Sequence, residues 1–311
     1  MKRLFAFVLL LILVMGMVAC QTPEQSSNTG DTGPTITINH ELGETDVPFN
    51  PEKIVVFDFG SLDTLDKLGI EVVGVPQGNI PAYLEKYESS DYENVGSLKE
   101  PDFEKISEID PDLIIISGRQ STLYDQLSEL APTVYLAVDT SRYMESFKEN
   151  LNMIGKIFDK EAEVAKAYEE IEQSISSLQE KTSTSEEEAL ILLVNDDNIN
   201  AYGPNSRFGL IHDVFGVKAV DDNIEASTHG QTISFEYVLE QNPDIIYVID
   251  RTAAVDGKSS AQTLVENKLV QNTSAYQNDR IYYLDPDFWY LSGGGLISVS
   301  EMVAEINESF E

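Results

Sequence analysis

The sequence predicts an α/β fold of two lobes with mainly parallel sheets, joined by a single long helix. Three observations predict it. First, Phe103–Arg119 (FEKISEIDPDLIIISGR) is echoed at a fixed offset by Phe235–Arg251 (FEYVLEQNPDIIYVIDR), with Phe, Glu, Pro, Asp, Ile and the closing Arg in step. Each copy reads as a short helix, a Pro-Asp turn, a buried strand and a cation, one copy to a lobe. Second, continuous apolar runs such as Lys53–Asp58 and Ala189–Val194 alternate with amphipathic stretches. That order favours strand-helix-strand units with right-handed crossovers and parallel strands. Third, the stretch from Tyr143 to Lys181 carries apolar residues three and four apart, from Phe147 and Leu151 through Ile171 and Ile175 to Leu178, the spacing of one face of a helix.

At the amino end, Lys2 and Arg3 precede an apolar run from Leu4 to Ala19. The run is shorter than the roughly 20 residues a membrane span needs, and residues 1–19 read as a signal peptide. It stops at Cys20, the only cysteine, in the setting Met17-Val18-Ala19-Cys20. This setting resembles a bacterial lipoprotein box, with Met where Leu is usual. The resemblance implies that Cys20 is lipidated and that the mature chain is tethered to the cell membrane, facing away from the cytoplasm. More than one acyl chain would make that attachment stable. Residues 20–34 then form the lipidated Cys and a polar, turn-forming tether with nothing to bury in a core.

Residues 35–140 are expected to form the first lobe. Thr35–Asn39 alternates as an edge strand before a turn at Gly43, and Lys53–Asp58 is the first core strand. Leu62, Leu65 and Leu68 lie on one face of a helix ending at Gly69, Ile70–Val75 returns as a strand, and Gln77-Gly78-Asn79 forms the next loop, a candidate source of ligand hydrogen bonds. The first repeat copy and Thr133–Leu136 complete the sheet. Residues 141–182 are the connecting helix, which Gly155 and the Asp159-Lys160 pair bend or divide. Such a strut packs on both lobes and allows them little motion; a coiled-coil dimer is the competing use of its stripe.

The second lobe, 183–311, begins at Ala189–Val194. A Tyr202-Gly203-Pro204-Asn205 turn leads to Ser206, a candidate cap for a helix over Phe208–Phe215, with Arg207 at its mouth. Val217–Val220 reads as a strand, Asp221–Gln231 as a polar loop carrying His229, and Ile281–Tyr290 as a strand and aromatic loop with Trp289, the single tryptophan. Ser292–Gly295 gives backbone freedom before a last helix, Leu296–Ser309; it lacks the lysine and spacing of a phosphate loop.

Composition narrows the function. With 54 Asp and Glu against 20 Lys and Arg, neither nucleic acid nor an anionic lipid surface is a suitable partner. Arg119 and Arg251 close the two repeat strands, where open α/β sheets present loops to a ligand, and on so acidic a chain cations so placed point to an anionic one. Three scattered histidines, His40, His212 and His229, do not make a free-metal importer. There is no Gly-x-Ser-x-Gly elbow for a hydrolase, so a non-enzymatic receptor is expected.

Taken together, the box at Cys20, the tether, the two lobes on a long helix and the repeated unit resemble the solute-binding lipoproteins that feed iron-siderophore and vitamin B12 ABC importers, proteins with a helical backbone between their lobes. The stretches Asn205-Ser206-Arg207-Phe208-Gly209, His229-Gly230-Gln231-Thr232-Ile233, Ile249-Asp250-Arg251 and Asp285–Leu291 are similar to those of the ferric catecholate binders, the enterobactin-fragment and petrobactin receptors. The resemblance implies an iron(III)-catecholate ligand, petrobactin-like or a tetradentate bis-catecholate, with no cofactor of the protein's own. It implies that Arg119, Arg207 and Arg251 surround the iron centre and that His229 and Tyr290 complete its coordination. It also implies that Glu104 and Glu236, at matching places in the two repeat copies, dock a permease served by a cytoplasmic ATPase, the receptor acting as a monomer. A haem- or corrinoid-binding lipoprotein of the same fold is the alternative; neither of those ligands particularly requires three arginines.

Overall fold

The structure, a computed structural model, describes residues 33–259 and 261–311. The signal peptide, Cys20 and nearly all of the tether lie outside the described residues. Two sheets organise the body. In the first, β3 (Ile54–Val56), β4 (Gly74–Val75), β5 (Glu93–Asn94), β6 (Leu113–Ile116) and β7 (Thr133–Tyr135) run parallel in the order β5-β4-β3-β6-β7. A separate antiparallel hairpin, β1 (Thr35–His40) and β2 (Gly43–Pro48), lies against β7. Its link is Thr45, whose hydroxyl donates to the Thr133 carbonyl at 2.8 Å.

The second sheet is mixed. β8 (Glu188–Asn195), β12 (Ile245–Asp250) and β13 (Ile281–Leu284) are parallel neighbours, and β10 (Lys218–Ala219) adds parallel to β8. On the other side β9 (Asn198–Tyr202) returns antiparallel to β8, followed by β11 (Gln231–Thr232). Every residue of β6 and of β12 is buried, as expected of parallel strands covered on both faces.

The two repeat copies fold alike. Helices Phe103–Ile109 and Phe235–Gln241 start on side-chain caps from Asp102 and Ser234 and end on left-handed residues, Asp110 at φ 51° and Asn242 at φ 46°. The Pro-Asp turn has a structural job. Asp112 accepts from the backbone N–H of Lys53 at 2.8 Å and of Glu52 at 3.0 Å, and Asp244 from that of Glu188 at 3.2 Å. Each carboxylate thereby ties its own strand to the start of the neighbouring core strand.

The connection resolves into two consecutive helices, Tyr143–Phe158 and Glu161–Thr182. Asp159, at φ 54°, breaks the path, and Gly155 lets the chain fold back closely, since a Cβ there would lie 3.1 Å from the Cα of Glu161. The first helix serves both lobes: Phe147 and Leu151 join the core under the second sheet, whereas Ile154, Ile157 and Phe158 join that of the first. Burying each such side chain is worth about 1.5–3 kcal/mol.

Several local expectations are corrected. Only Gly74–Val75 of the Ile70–Val75 stretch pairs as strand. The helix expected over Phe208–Phe215 shortens to Leu210–Asp213, and Ser206 does not cap it: its hydroxyl donates to the Gly203 carbonyl at 2.6 Å. Gln77 is not a ligand donor, because its amide already donates to the carbonyls of Tyr87, Ser89 and Tyr92.

The last helix, Leu296–Glu308, packs on both Glu161–Thr182 and the first lobe's Phe59–Lys67 helix. There Asp63, fully buried, accepts from the N–H groups of Ile297 at 3.1 Å and Ser298 at 3.0 Å, while Thr64 accepts from that of Leu296. A first-lobe carboxylate thus caps a second-lobe helix. Gly295 is required beside it, since a Cβ would stand 1.9 Å from Asp63.

Candidate functional site

The parallel strands of the first lobe deliver Asp58, Ser117–Arg119 and Leu136–Asp139 from their carboxyl ends to one wall of a cleft of about 720 Å³. The second lobe supplies the facing wall: Arg207 and Phe208, Thr228 and His229, and Trp289 and Tyr290.

Arg119 lies in the helical turn Gly118–Leu123, which Gln120 stiffens by accepting from the Ser117 N–H at 3.1 Å and donating to the Leu98 carbonyl. Arg207 follows Asn205, whose φ of 58° makes the sharp turn out of β9. Arg251 is the first residue of helix Arg251–Asp256, which the Asp250 carboxylate caps at the Ala253 N–H. Tyr290 sits in a π-helical turn, Asp287–Ser292, a wide winding that occurs often at functional sites.

All three arginines meet at Tyr290. Its carbonyl accepts from Arg119 Nη2 of the first lobe and from Arg207 Nη2 of the second, each at 2.8 Å. Its hydroxyl accepts from Arg251 Nε at 3.0 Å, and its ring lies 4.4 Å from the Arg207 guanidinium carbon and 5.9 Å from that of Arg251. Arg251 is not part of the cleft lining; it is held beside the tyrosine by Asn195 Oδ1 at 2.7 Å.

The electrostatics follow from this crowding. Burial, and then the charge of Arg119, lower the Arg207 guanidinium from its ordinary value. Burial alone pushes the Tyr290 phenol up, but the combined pull of Arg207 and Arg251 outweighs it, so the phenol lies below its ordinary 10.0. The site therefore holds concentrated positive charge and a phenol that loses its proton more readily than an ordinary one, on a protein that is otherwise strongly anionic.

His229 lines the same cleft and is exposed; its carbonyl accepts from Asn200 Nδ2 at 2.9 Å. Glu104 and Glu236 lie apart from the cleft lining, exposed in the first turns of the two repeat helices. Among the described residues no group of three or more His, Cys, Asp or Glu is placed to hold a metal ion unaided, and no helix is long and apolar enough to cross a membrane. Several residues escaped the sequence reading, Lys99 and Asn195 among them. Lys99 lines the cleft, and its only signal was its rarity as a cation. Asn195, which positions Arg251, was legible only as the polar residue closing an apolar run.

The sequence model of the periplasmic binding protein family matches residues 54–288. The chain belongs to that family. Among characterised relatives it is 49% identical to the petrobactin-binding protein YclQ of Bacillus subtilis, over the full length of both chains. It is 33% identical to the ferric-anguibactin-binding protein FatB of Vibrio anguillarum, over 89% of this chain and 88% of that one. The crystal structure of YclQ superposes with a TM-score of 0.88 at 51% identity, covering 89% of this chain and 99% of the other. The family and this structural match account for the α/β fold with its parallel strands and many helices.

Proposed function

We propose that this protein is a lipid-anchored receptor on the extracytoplasmic face of the cell membrane that captures an iron(III)-catecholate siderophore, petrobactin-like or a tetradentate bis-catecholate, and delivers it to an ABC importer. The observation that carries this reading is the convergence of Arg119, Arg207 and Arg251 on Tyr290, which lines the interlobe cleft with the first two. A ferric catecholate is anionic, with charge spread over planar rings, and guanidinium both pairs with catechol oxygens and stacks on rings. The likeness to a petrobactin-binding and a ferric-anguibactin-binding protein points to the same ligand class.

In this reading Arg119 and Arg207 meet the catecholate oxygens, and Arg251 orients and acidifies Tyr290. Fe(III), the cargo, is a hard cation, so the Tyr290 phenolate and the His229 imidazole complete its coordination when the siderophore leaves two positions open. Cys20 carries the anchor, the receptor acts as a monomer, and Glu104 and Glu236 dock it on the permease. Neither haem nor a corrinoid particularly requires three guanidinium groups.

Trp289 supplies the test, since the chain's single tryptophan lines the cleft. Ferric bis-catecholate should quench its emission strongly and saturably, while a ferric hydroxamate and haem should not. Saturable quenching by haem or hydroxamate, with none by the catecholate, would overturn the assignment.

A further inference from the structure

The cleft does not end at the cluster of arginines. On the β7 side it continues into a second space of about 690 Å³, and the two share Glu41, Tyr135, Ala137 and Asp139 in their walls. Each space alone is the size of a small-molecule site, so a chelate with extended arms has room to reach from one into the other.

The walls of this path carry both signs: Arg142 and Lys156 line the second space with Glu41, Asp139 and Glu149, and Arg142 is paired with Asp139 and Glu149, which leaves Glu41 as the carboxylate without a partner among the described residues. Glu41, Asp58 and Asp139 line the same cleft as the arginines. Asp58 is committed to its own helix, accepting from the N–H and hydroxyl of Ser61 at 2.7 and 2.9 Å. Asp139 accepts from Ser141 and faces Arg142 at 3.3 Å. Glu41, at the tip of the β1–β2 hairpin, is exposed and has no hydrogen-bond or ion-pair partner among the described residues. A second, independent feature lies in the same lining: Tyr143 is 6% exposed, and its hydroxyl has no hydrogen-bond partner among the described residues.

Carboxylates facing an anionic chelate weaken its binding, because like charges across an interface repel. Their place in this cleft makes sense for a ligand that is anionic at one end and cationic at the other. We propose that the β7 side of the cleft is a subsite for a protonated aliphatic amine on an arm of the chelate. Glu41 meets the ammonium group, and the Tyr143 hydroxyl offers a further acceptor. The subsite rests on the catecholate reading and adds selectivity to it: the carboxylates attract the amine-bearing complex and repel purely anionic ones.

The experiment compares two ferric bis-catecholates with the same core, one with a protonated amine arm and one with a neutral arm of equal length, each followed by Trp289 quenching. Wild type should prefer the amine-bearing complex, and added salt should narrow the preference. Glu41→Gln should cut that preference about three- to tenfold, the range of a partly exposed charge pair, by weakening the amine complex while the neutral-armed one binds as well or better. Equal losses for both complexes, or no wild-type preference, would overturn the subsite and leave the catecholate reading standing. Failure of the neutral-armed complex to bind wild type would instead remove the catecholate reading, and the subsite with it. Glu41 is exposed in a turn, so a matching melting temperature shows that the variant is folded.

Discussion

Replacing Tyr290 with Phe separates the two tasks assigned to this residue. The ring remains, so the stacking of Arg207 at 4.4 Å survives, as do the bonds from Arg119 and Arg207 to the backbone carbonyl. What is lost is the phenol oxygen and its 3.0 Å bond from Arg251. A hydrogen bond to a charged group contributes about 1.5–3 kcal/mol, and at this half-buried position the lower end applies, so the apo-protein should lose about 1–2 kcal/mol. The effect on ligand is larger and selective. At pH 7 an ordinary phenol at 10.0 costs about 4 kcal/mol to ionise, and Arg207 and Arg251 reduce that cost for Tyr290. Losing a group that only orients a metal ligand costs about 10–100-fold, so losing a donor should cost a four-donor complex at least about tenfold. A six-donor complex, with no open position, should lose much less. Because the phenol must release its proton, wild-type affinity for the four-donor complex should rise about tenfold per pH unit below the phenol's lowered value, and the variant should lose that slope. Trp289 quenching from pH 6 to 9 with both complexes is the assay. Equal losses for the two, or an unchanged slope, would remove Tyr290 from the iron.

Other expectations follow from the same contacts. Arg207→Lys keeps the charge but loses the planar stack and fork, and should weaken ferric bis-catecholate about tenfold by titration; unchanged affinity would mean that charge alone matters. Burial pushes the Asp63 carboxyl up to about 7 against bonds from Ser298, Ile297 and Tyr83 that pull it down. A raised value means that its contribution to stability is complete below about 3.8 and is lost as pH rises through 7. Between pH 5 and 8 the wild type should therefore lose about 3 kcal/mol relative to Asp63→Asn, and parallel denaturation curves would contradict this. Glu104→Ala with Glu236→Ala should leave siderophore titrations intact and abolish uptake by cells; normal uptake would place the docking surface elsewhere.

The repeated unit was legible because each of its residues has a local duty. Asp112 and Asp244 fasten the next strand, and Asp110 and Asn242 take the left-handed turn that ends the helix. Arg119 and Arg251 were legible for a related reason, since a cation just past a buried strand has few uses on an acidic chain other than to face a ligand; Arg207 came only with the family resemblance. What sequence could not carry was anything decided between distant segments. A Cβ at Gly74 would stand 3.0 Å from Val95 and 3.2 Å from Ile109, so distant residues demand glycine in that strand, and Gln77 is consumed by carbonyls ten to fifteen residues away. Asp63 lies off the Leu62, Leu65 and Leu68 face of its helix, yet it is covered by the last helix, 234 residues further on.

That hidden contact changes how the lobes should be regarded. The connecting helices alone would leave the lobes joined at one place. Asp63 and Thr64 add a second join through the N-terminus of Leu296–Glu308, and Arg119, reaching across to the Tyr290 and Leu291 carbonyls, adds a third inside the cleft itself. The third differs from the others, since its donor, Arg119, is one of the guanidinium groups proposed to meet the ligand. A chelate that takes hydrogen bonds from Arg119 and Arg207 competes with the Tyr290 carbonyl for them, and so exchanges an internal interlobe bond for one that runs through the ligand. On the proposed role of these arginines the lobes then stay bridged in both states, which gives a physical reason for capture to proceed with little relative movement.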